Sequence, residues 1–513
     1  MLSTAEQKLT RNQWLVGGGV LATFLALHGW SLLRFPAPFV DEAWLASRAW
    51  AFMRTGLAFG PLDSGVADRF AGYWTYNQWL MTFLDSLVLR FFNTPNLLAV
   101  RIVSLLFGLI LLALVYVIAH RLGGQRLGLL SVVLVSVSWP FLYSAHLARY
   151  DIVAAAFGFA AIALYLNNRS SFWVGLLAGV CVGLSFEIHP NGMIYAPAIL
   201  ALYFWDVRWS MLRQRWFWGL MLGGSIGLLF YAALHILPYP QTYLTLSRLA
   251  FAATRTPPLV TLDLRVMLQA LIDSGWMLFG VYQPLLVIIL WAIVVLLQRH
   301  STSDQRLLVL IAALVLAHTL LIRNKFLYYA ILVTPMLDVL VAAFLLEFIR
   351  WPWRGRLGDY LSRILVWGLT IGSIALTWSV LRTDFWRTYQ VTQSRINQAI
   401  RPGDSIMGSQ VYWFGLYDHV YYSWELLPTY QRYAPGSTLE DALREFHPDV
   451  FIRDGHVSTF VVDPGPQGDQ YIQSLRLPRA ELESFLNRRA ELINSFYNSY
   501  FREVRMYRIK WTE

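Results

Sequence analysis

The chain returns repeatedly to apolar runs of 17–24 residues bounded by charges or by Pro and Gly. A helix of about 20 apolar residues crosses the hydrocarbon of a bilayer, and in lipid only helices and closed barrels satisfy their own backbone. Eleven such runs fall near 14–33, 96–119, 126–145, 150–167, 172–188, 190–206, 216–237, 276–297, 305–322, 326–348 and 361–381. The spacing predicts an α-helical polytopic membrane protein of about eleven spans. Only 14% of the 513 residues are charged, against about 25% in soluble chains. The formal charge of +10 does not point to nucleic acid, because Lys and Arg collect in short loops between the runs, where they fix topology.

Lys8 and Arg11 precede the first run, Trp14 to Leu33, and Arg34-Phe35-Pro36 follows it in place of a small-residue cleavage site. An uncleaved first span is expected. With a cytoplasmic amino terminus, the cytoplasmic loops receive Arg121, Arg126, Arg169, Arg208, Arg213, Arg215, Arg299, Arg306, Arg350, Arg354, Arg356 and Arg363. The extracytoplasmic face then receives 34–95, the turns at 146–150, 188–190 and 323–325, the loop 238–275 and everything after 382. Arg149, Arg323 and Lys325 break this positive-inside trend and need another reason to be there. Residues 41–55 and 72–92 are aromatic-rich and read as interfacial helices. For 72–92 a full span is the alternative, and it would flip every later loop.

After Arg382 the composition turns polar. Strand-like runs at 405–409, 449–453, 457–462 and 503–510, with helical patterns at 387–400, 438–446 and 479–492, predict a small α/β domain over 384–513. The transmembrane part is then 1–383, with 34–95 as its first outer loop. No nucleotide-binding glycine motif is present, and the lone Cys181 excludes an intrachain disulfide.

Polar residues on the expected outer face gather at four places. Asp41-Glu42 lies just past the first span; alone, Asp41 reads as the cap of a helix beginning at Ala43. His146-Leu147-Ala148-Arg149-Tyr150-Asp151 enters the fourth span, and the planar fork of Arg149 suits a phosphate. Glu187-Ile188-His189-Pro190-Asn191-Gly192 forms a tight turn in which a His and a carboxylate suggest a divalent metal only weakly; Glu42 and His189 are the candidate ligands. Arg323-Asn324-Lys325 with Tyr328-Tyr329 places two cations in a short outer turn. Acids facing cations at a membrane surface suit a lipid-linked phosphosugar. Cations hold the phosphate and a carboxylate takes the proton of an attacking hydroxyl.

In this order these motifs resemble the GT-C superfamily of membrane glycosyltransferases, in particular the group of the protein O-mannosyltransferases and the bacterial aminoarabinose transferase of lipid A. The likeness spans the Asp-Glu pair, the helix from Gln78 to Phe92, Arg149-Tyr150-Asp151, His189-Pro190 and Lys325-x-x-x-Tyr329 leading to Pro335. It implies a polyprenyl-phosphate sugar donor, inversion at the anomeric carbon and a hydroxyl acceptor that is lipid, glycan or protein. By position it implies Asp41 as catalytic base and Glu42 and Asp151 as supporting acids. Arg149, Arg323 and Lys325 become phosphate contacts, with Tyr329 and His189 lining the pocket. Many relatives carry Arg-Pro-Glu where this chain has Arg149-Tyr150-Asp151. The loop 238–275 is too short for the soluble insertion of protein mannosyltransferases. The alternative reading, a transporter or flippase of a lipid-linked sugar, expects polar groups at mid-membrane in two related halves.

Overall fold

The computed structural model describes residues 22, 24–63, 77–245, 301–322, 326–350, 381–463 and 475–511, with isolated positions between 269 and 379. Helix α1 runs Val40–Thr55, α2 Trp79–Phe92, α3 Leu97–Gly123, α4 Gln125–Ser136, α5 Trp139–His146, α6 Asp151–Asn167 and α7 Phe172–Ile188. Then follow α8 Tyr195–Val207, α9 Arg215–His235, α10 Thr302–Leu321 and α11 Thr334–Arg350. Among the described residues three helices, α3, α9 and α10, are long and apolar enough to cross a membrane. The predicted run 126–145 is the bent pair α4 and α5, meeting at 64°. Pro140 at the start of α5 suits this break, since Pro is tolerated in a first helical turn and not inside a helix. The predicted runs at 190–206 and 326–348 each begin as a 3-10 turn, Pro190–Ile194 and Leu327–Leu332, before the α-helix starts. The run 276–297 and most of 14–33 and 361–381 lie outside the described residues.

Close helix packing needs small residues, because lipid supplies no hydrophobic drive between helices. Helices α7 and α9 meet at Gly183 and Gly227, where a Cβ on either would lie 2.5 Å from the other's Cα. At the end of the bundle away from α1, Asp206 accepts hydrogen bonds from Tyr165 Oη (2.5 Å), Arg169 (2.7 Å) and Arg306 (2.7 Å). One buried carboxylate thereby ties α6 and α8 to α10.

Helix α2 is 14 residues long, about 21 Å at 1.5 Å per residue and short of a span. Met81, Asp85 and Leu89 are buried while Phe83, Leu87 and Phe91 are exposed, which is the pattern of an interfacial helix. Its amino end is held by Glu187 on α7, which accepts from Trp79 N (2.8 Å) and Leu80 N (3.4 Å). Helix α1 departs from the expectation. Residues Glu42, Ala43, Leu45, Ala46, Ser47, Arg48, Ala49 and Trp50 are all buried, so α1 is covered along 42–50, where an amphipathic pattern leads one to expect a bare face. The reason is a roof that the local pattern did not reveal, formed by the C-terminal segment.

That segment opens with α12, Phe385–Ala399, and builds a five-stranded sheet in the order β2-β1-β3-β7-β6. Strand β1 (Ile406–Gly408) pairs parallel with β2 (Tyr421–Ser423) and β3 (Val450–Arg453). A separate short parallel pair is formed by β4 (Val461–Val462) and β5 (Leu477–Pro478), and strand β7 (Arg502–Ile509) pairs antiparallel with β3 and with β6 (Ala490–Asn498). The expected strand at 457–462 is mostly the helix Gly455–Phe460, started by Asp454, whose Oδ1 accepts from Val457 N at 2.8 Å. Ala43, Ala46, Ala49 and Trp50 of α1 share one apolar cluster with Tyr389, Ile406, Tyr412, Trp413 and Val450.

Candidate active site

The site is assembled at the first turn of α1. Phe39 is extended (φ −112°, ψ 149°) and caps the helix, which begins at Val40. Asp41 is therefore not the cap, as expected from sequence, but a first-turn residue. The cap is closed by Glu42, which accepts from Phe39 N at 2.8 Å. Carboxylates at this end of a helix are favoured by its dipole.

Glu42 is fully buried and saturated. Its Oε1 accepts from Arg101 Nε (2.8 Å) and Ala148 N (2.7 Å); its Oε2 accepts from Phe39 N and from Arg101 Nη2 (2.8 Å). Arg101 also donates to the carbonyls of Leu32 (2.8 Å), Pro36 (3.0 Å) and Ala37 (3.3 Å). This latch stitches α1, α3, the segment 32–37 and the 146–150 turn together. Arg101 was missed in the sequence. The available signal was a lone cation within an apolar helix, which is expensive and has to have a partner.

Asp41 stands beside the latch. Its carboxylate is in ion-pair contact with Arg149. Arg149 Nε donates to Asp151 Oδ2 at 2.8 Å and Nη2 donates to Tyr150 Oη at 3.1 Å. The guanidinium sits 3.8 Å from the Tyr328 ring centre, 4.7 Å from that of Tyr150 and 5.6 Å from that of Phe39. Aromatic faces attract a cation in such a position. The side chain of Asp41 is 35% exposed, whereas those of Arg149, Asp151 and Glu42 are 1%, 2% and 0% exposed. Of the three clustered acids, Asp41 alone is open to a solute.

The His189 imidazole stacks on Tyr150 (centroids 4.5 Å apart, 14°) and lies 5.3 Å from the Tyr329 ring. Its Nδ1 accepts from Asn191 N at 3.1 Å, so the ring proton resides on Nε2. Burial, and secondarily the charge of Arg149, hold its pKa down to about 3. It is a neutral donor at any physiological pH.

Asp41, Glu42, Arg149, Asp151, His189 and Tyr329 thus form one continuous neighbourhood, drawn from segments more than 280 residues apart. Arg323 and Lys325 lie outside the described residues. Tyr150, Tyr328 and Arg101 are the additions. As for a divalent cation, every acceptor position of Glu42 is engaged, and His189 Nδ1 is taken by Asn191. Among the described residues no three His, Cys, Asp or Glu side chains come together as a metal set. Glu42 and His189 do not fit a metal centre.

Residues 78–234 match the family model of dolichyl-phosphate-mannose-protein mannosyltransferases. No curated protein sequence matches the chain significantly. Among solved structures, the chain is similar to ArnT from Cupriavidus metallidurans bound to undecaprenyl phosphate, with a TM-score of 0.59 at 12% identity, covering 97% of this chain and 98% of that one. It is also similar to the oligosaccharyltransferase AglB from Archaeoglobus fulgidus, in complex with an inhibitory peptide and a dolichol-phosphate. There the TM-score is 0.51 at 11% identity, covering 96% of this chain and 74% of that one. The chain therefore shares its fold with these two structures over nearly its whole length, the carboxyl-terminal segment included.

Proposed function

We propose that the chain is an inverting membrane glycosyltransferase. It moves a sugar from a polyprenyl-phosphate donor to a hydroxyl acceptor on the extracytoplasmic face of the cell membrane, with Asp41 as base. The observation that carries this reading is the contrast in exposure. One open carboxylate, Asp41, is held by a buried Arg149 whose other contacts are fixed by Asp151 and Tyr150. A base needs an approachable oxygen and a fixed direction, and this pairing supplies both. The fold shared with ArnT and AglB supports a lipid-phosphate donor.

Asp41 accepts the proton of the acceptor hydroxyl as its oxygen attacks the anomeric carbon. The bond from that carbon to the phosphate oxygen breaks, and polyprenyl phosphate leaves with the electron pair. Inversion follows from a single displacement. Arg149 orients Asp41 and lends its charge to the leaving phosphate, a task assigned also to Arg323 and Lys325, which shortly precede Tyr328 in the sequence. Glu42 and Asp151 act from behind as the acids that fix Arg101 and Arg149. His189 offers its Nε2–H beside the ring of Tyr329. A transporter needs polar groups at mid-membrane; here Asp41, Glu42, Arg149 and Asp151 gather at the end of the bundle where α1 begins.

The test is release of polyprenyl phosphate from a labelled polyprenyl-phosphate sugar pool mixed with purified protein and an acceptor extract. Asp41→Asn is expected to lose about 10²–10⁴-fold in turnover, the usual worth of a general base, with an unchanged elution profile. Wild-type turnover by Asp41→Asn would overturn the assignment.

A further inference from the structure

A cleft of about 400 Å³ opens between the loop that joins α2 to α3 and helix α12 of the C-terminal segment. That volume lies within the range of small-molecule sites, about 300–1,000 Å³. One wall is a stripe along α12: Trp386, Gln390, Gln393 and Ser394 recur at helical spacing and so share a face. The facing wall is Asn96 and Phe414. No charged residue lines the cleft.

Two features give its chemistry a direction. The first is the rings. Trp386 stacks on Tyr389 (5.4 Å, 25°), so its indole is backed by a second aromatic and held as a platform. Aromatic platforms bind ligands that are apolar on one face and polar at their rim. The second is an amide relay with a fixed sense. Asn397 Nδ2 donates to the carbonyl of Gly415 at 3.4 Å, so its Oδ1 is the atom that receives Gln393 Nε2 at 2.8 Å. Gln393 is then committed as a donor on one side, and its Oε1 is a buried acceptor with no partner. Gln393 itself is 8% exposed. A buried polar atom left unpaired calls for a partner, which a ligand group or a water can supply. What it lacks is a neutral O–H or N–H donor.

We infer that this cleft is a binding site for a neutral sugar unit: the C–H face of a pyranose lies on Trp386 and Phe414, and its hydroxyls meet Gln390, Gln393, Ser394 and Asn96. Assigning that sugar to the glycan of the acceptor rests on the transferase reading above; the binding chemistry does not. The absence of charge in the lining sets the site apart from the Arg149 centre, which suits a phosphate. It also makes binding indifferent to salt, since screening acts only on charges.

The experiment uses the full-length detergent-solubilised protein and three neutral trisaccharides: mannotriose, maltotriose and cellotriose. Saturation-transfer difference NMR reads the ring C–H protons, and the part of the tryptophan fluorescence change that is lost in Trp386→Ala reads Trp386 among the 22 tryptophans. At least one trisaccharide is expected to bind, equally at about 0.1 and 1 M salt. Trp386→Ala is expected to weaken it about tenfold, a loss of about 1.4 kcal/mol. Ser394→Trp, at an exposed position that tolerates bulk, fills the cleft without touching the core and is expected to abolish binding. Binding by none of the three sugars overturns the inference, as does binding that survives Ser394→Trp or that only glycerol phosphate displaces. Turnover of the wild type separates the two readings: sugar binding in a wild-type protein that shows no turnover removes the transferase reading and leaves the cleft standing.

Discussion

The carboxylate of Glu42 receives both Nε and Nη2 of Arg101 at 2.8 Å, and neither side chain reaches solvent. The pair ends 59 residues apart in sequence, yet it determines where the exposed neighbour Asp41 stands. Breaking a buried ion pair from one side costs about 3–5 kcal/mol, because the remaining charge is stranded. Arg101→Leu is therefore expected to lower the thermal midpoint in detergent sharply and to abolish turnover in whatever remains folded. Restoring wild-type stability in Arg101→Leu would remove the latch from the account.

Arg149→Lys keeps the charge but not the fork. The ammonium cannot serve Asp41, Asp151 and the Tyr150 hydroxyl together in one plane. Turnover is expected to fall about 10²-fold, in line with the loss from a misplaced catalytic group, while donor-lipid retention in a binding assay falls less. Equal losses in binding and in turnover would assign Arg149 to the phosphate alone.

His189 is neutral in the folded protein down to a pKa of about 3, against 6.5 for the free group. Between these values the unfolded chain binds the extra proton, so stability rises with pH across that window and is complete above 6.5. Denaturant unfolding of His189→Gln, compared with wild type at about pH 5 and pH 7, isolates this contribution. The wild type is expected to gain more stability than the variant on going to the higher pH. In turnover, His189→Gln retains a neutral donor and is expected to outperform His189→Phe.

Glu187 tethers the amino end of α2 to α7. Glu187→Ala is expected to cost about 0.5–2 kcal/mol, as for loss of a helix cap. Faster amide exchange confined to the first turn of α2 is the signature. Unchanged exchange at residues 79–82 would show that the helix is held otherwise.

Local patterns carried much of the architecture. Apolar periodicity gave α3, α6, α7, α9 and α10 to within a few residues, because a lipid-facing helix must be apolar over its own length. Asp41, Arg149 and Asp151 were legible as a group because charge at a span end is costly and stands out. What stayed hidden depends on partners far away in sequence. The burial of α1 is one case, since its alternation of Ala and Trp with Asp, Glu and Arg reads as interfacial until a roof is known. The saturation of Glu42 is another: nothing in Asp41-Glu42 distinguishes the acid that faces Arg101 from the one that faces Arg149. Strand β6 was missed because none of its residues is fully buried and a register shift between Leu492 and Asn494 interrupts it, so the pairing with β7 rather than burial defines it.

The apolar cluster joining Ala43, Ala46 and Ala49 to Ile406, Trp413 and Val450 bears on how such a chain is inherited. A crossover between residues 383 and 384 looks harmless in sequence, since it separates apolar from polar composition. In space it would cut through a shared interior and part the helix of Asp41 from its cover. The carboxyl-terminal quarter is thus not a cassette to be exchanged between relatives. Substitutions along α1 and along the strands β1 and β3 are bound to a common lineage, each side keeping the shape that the other has come to require.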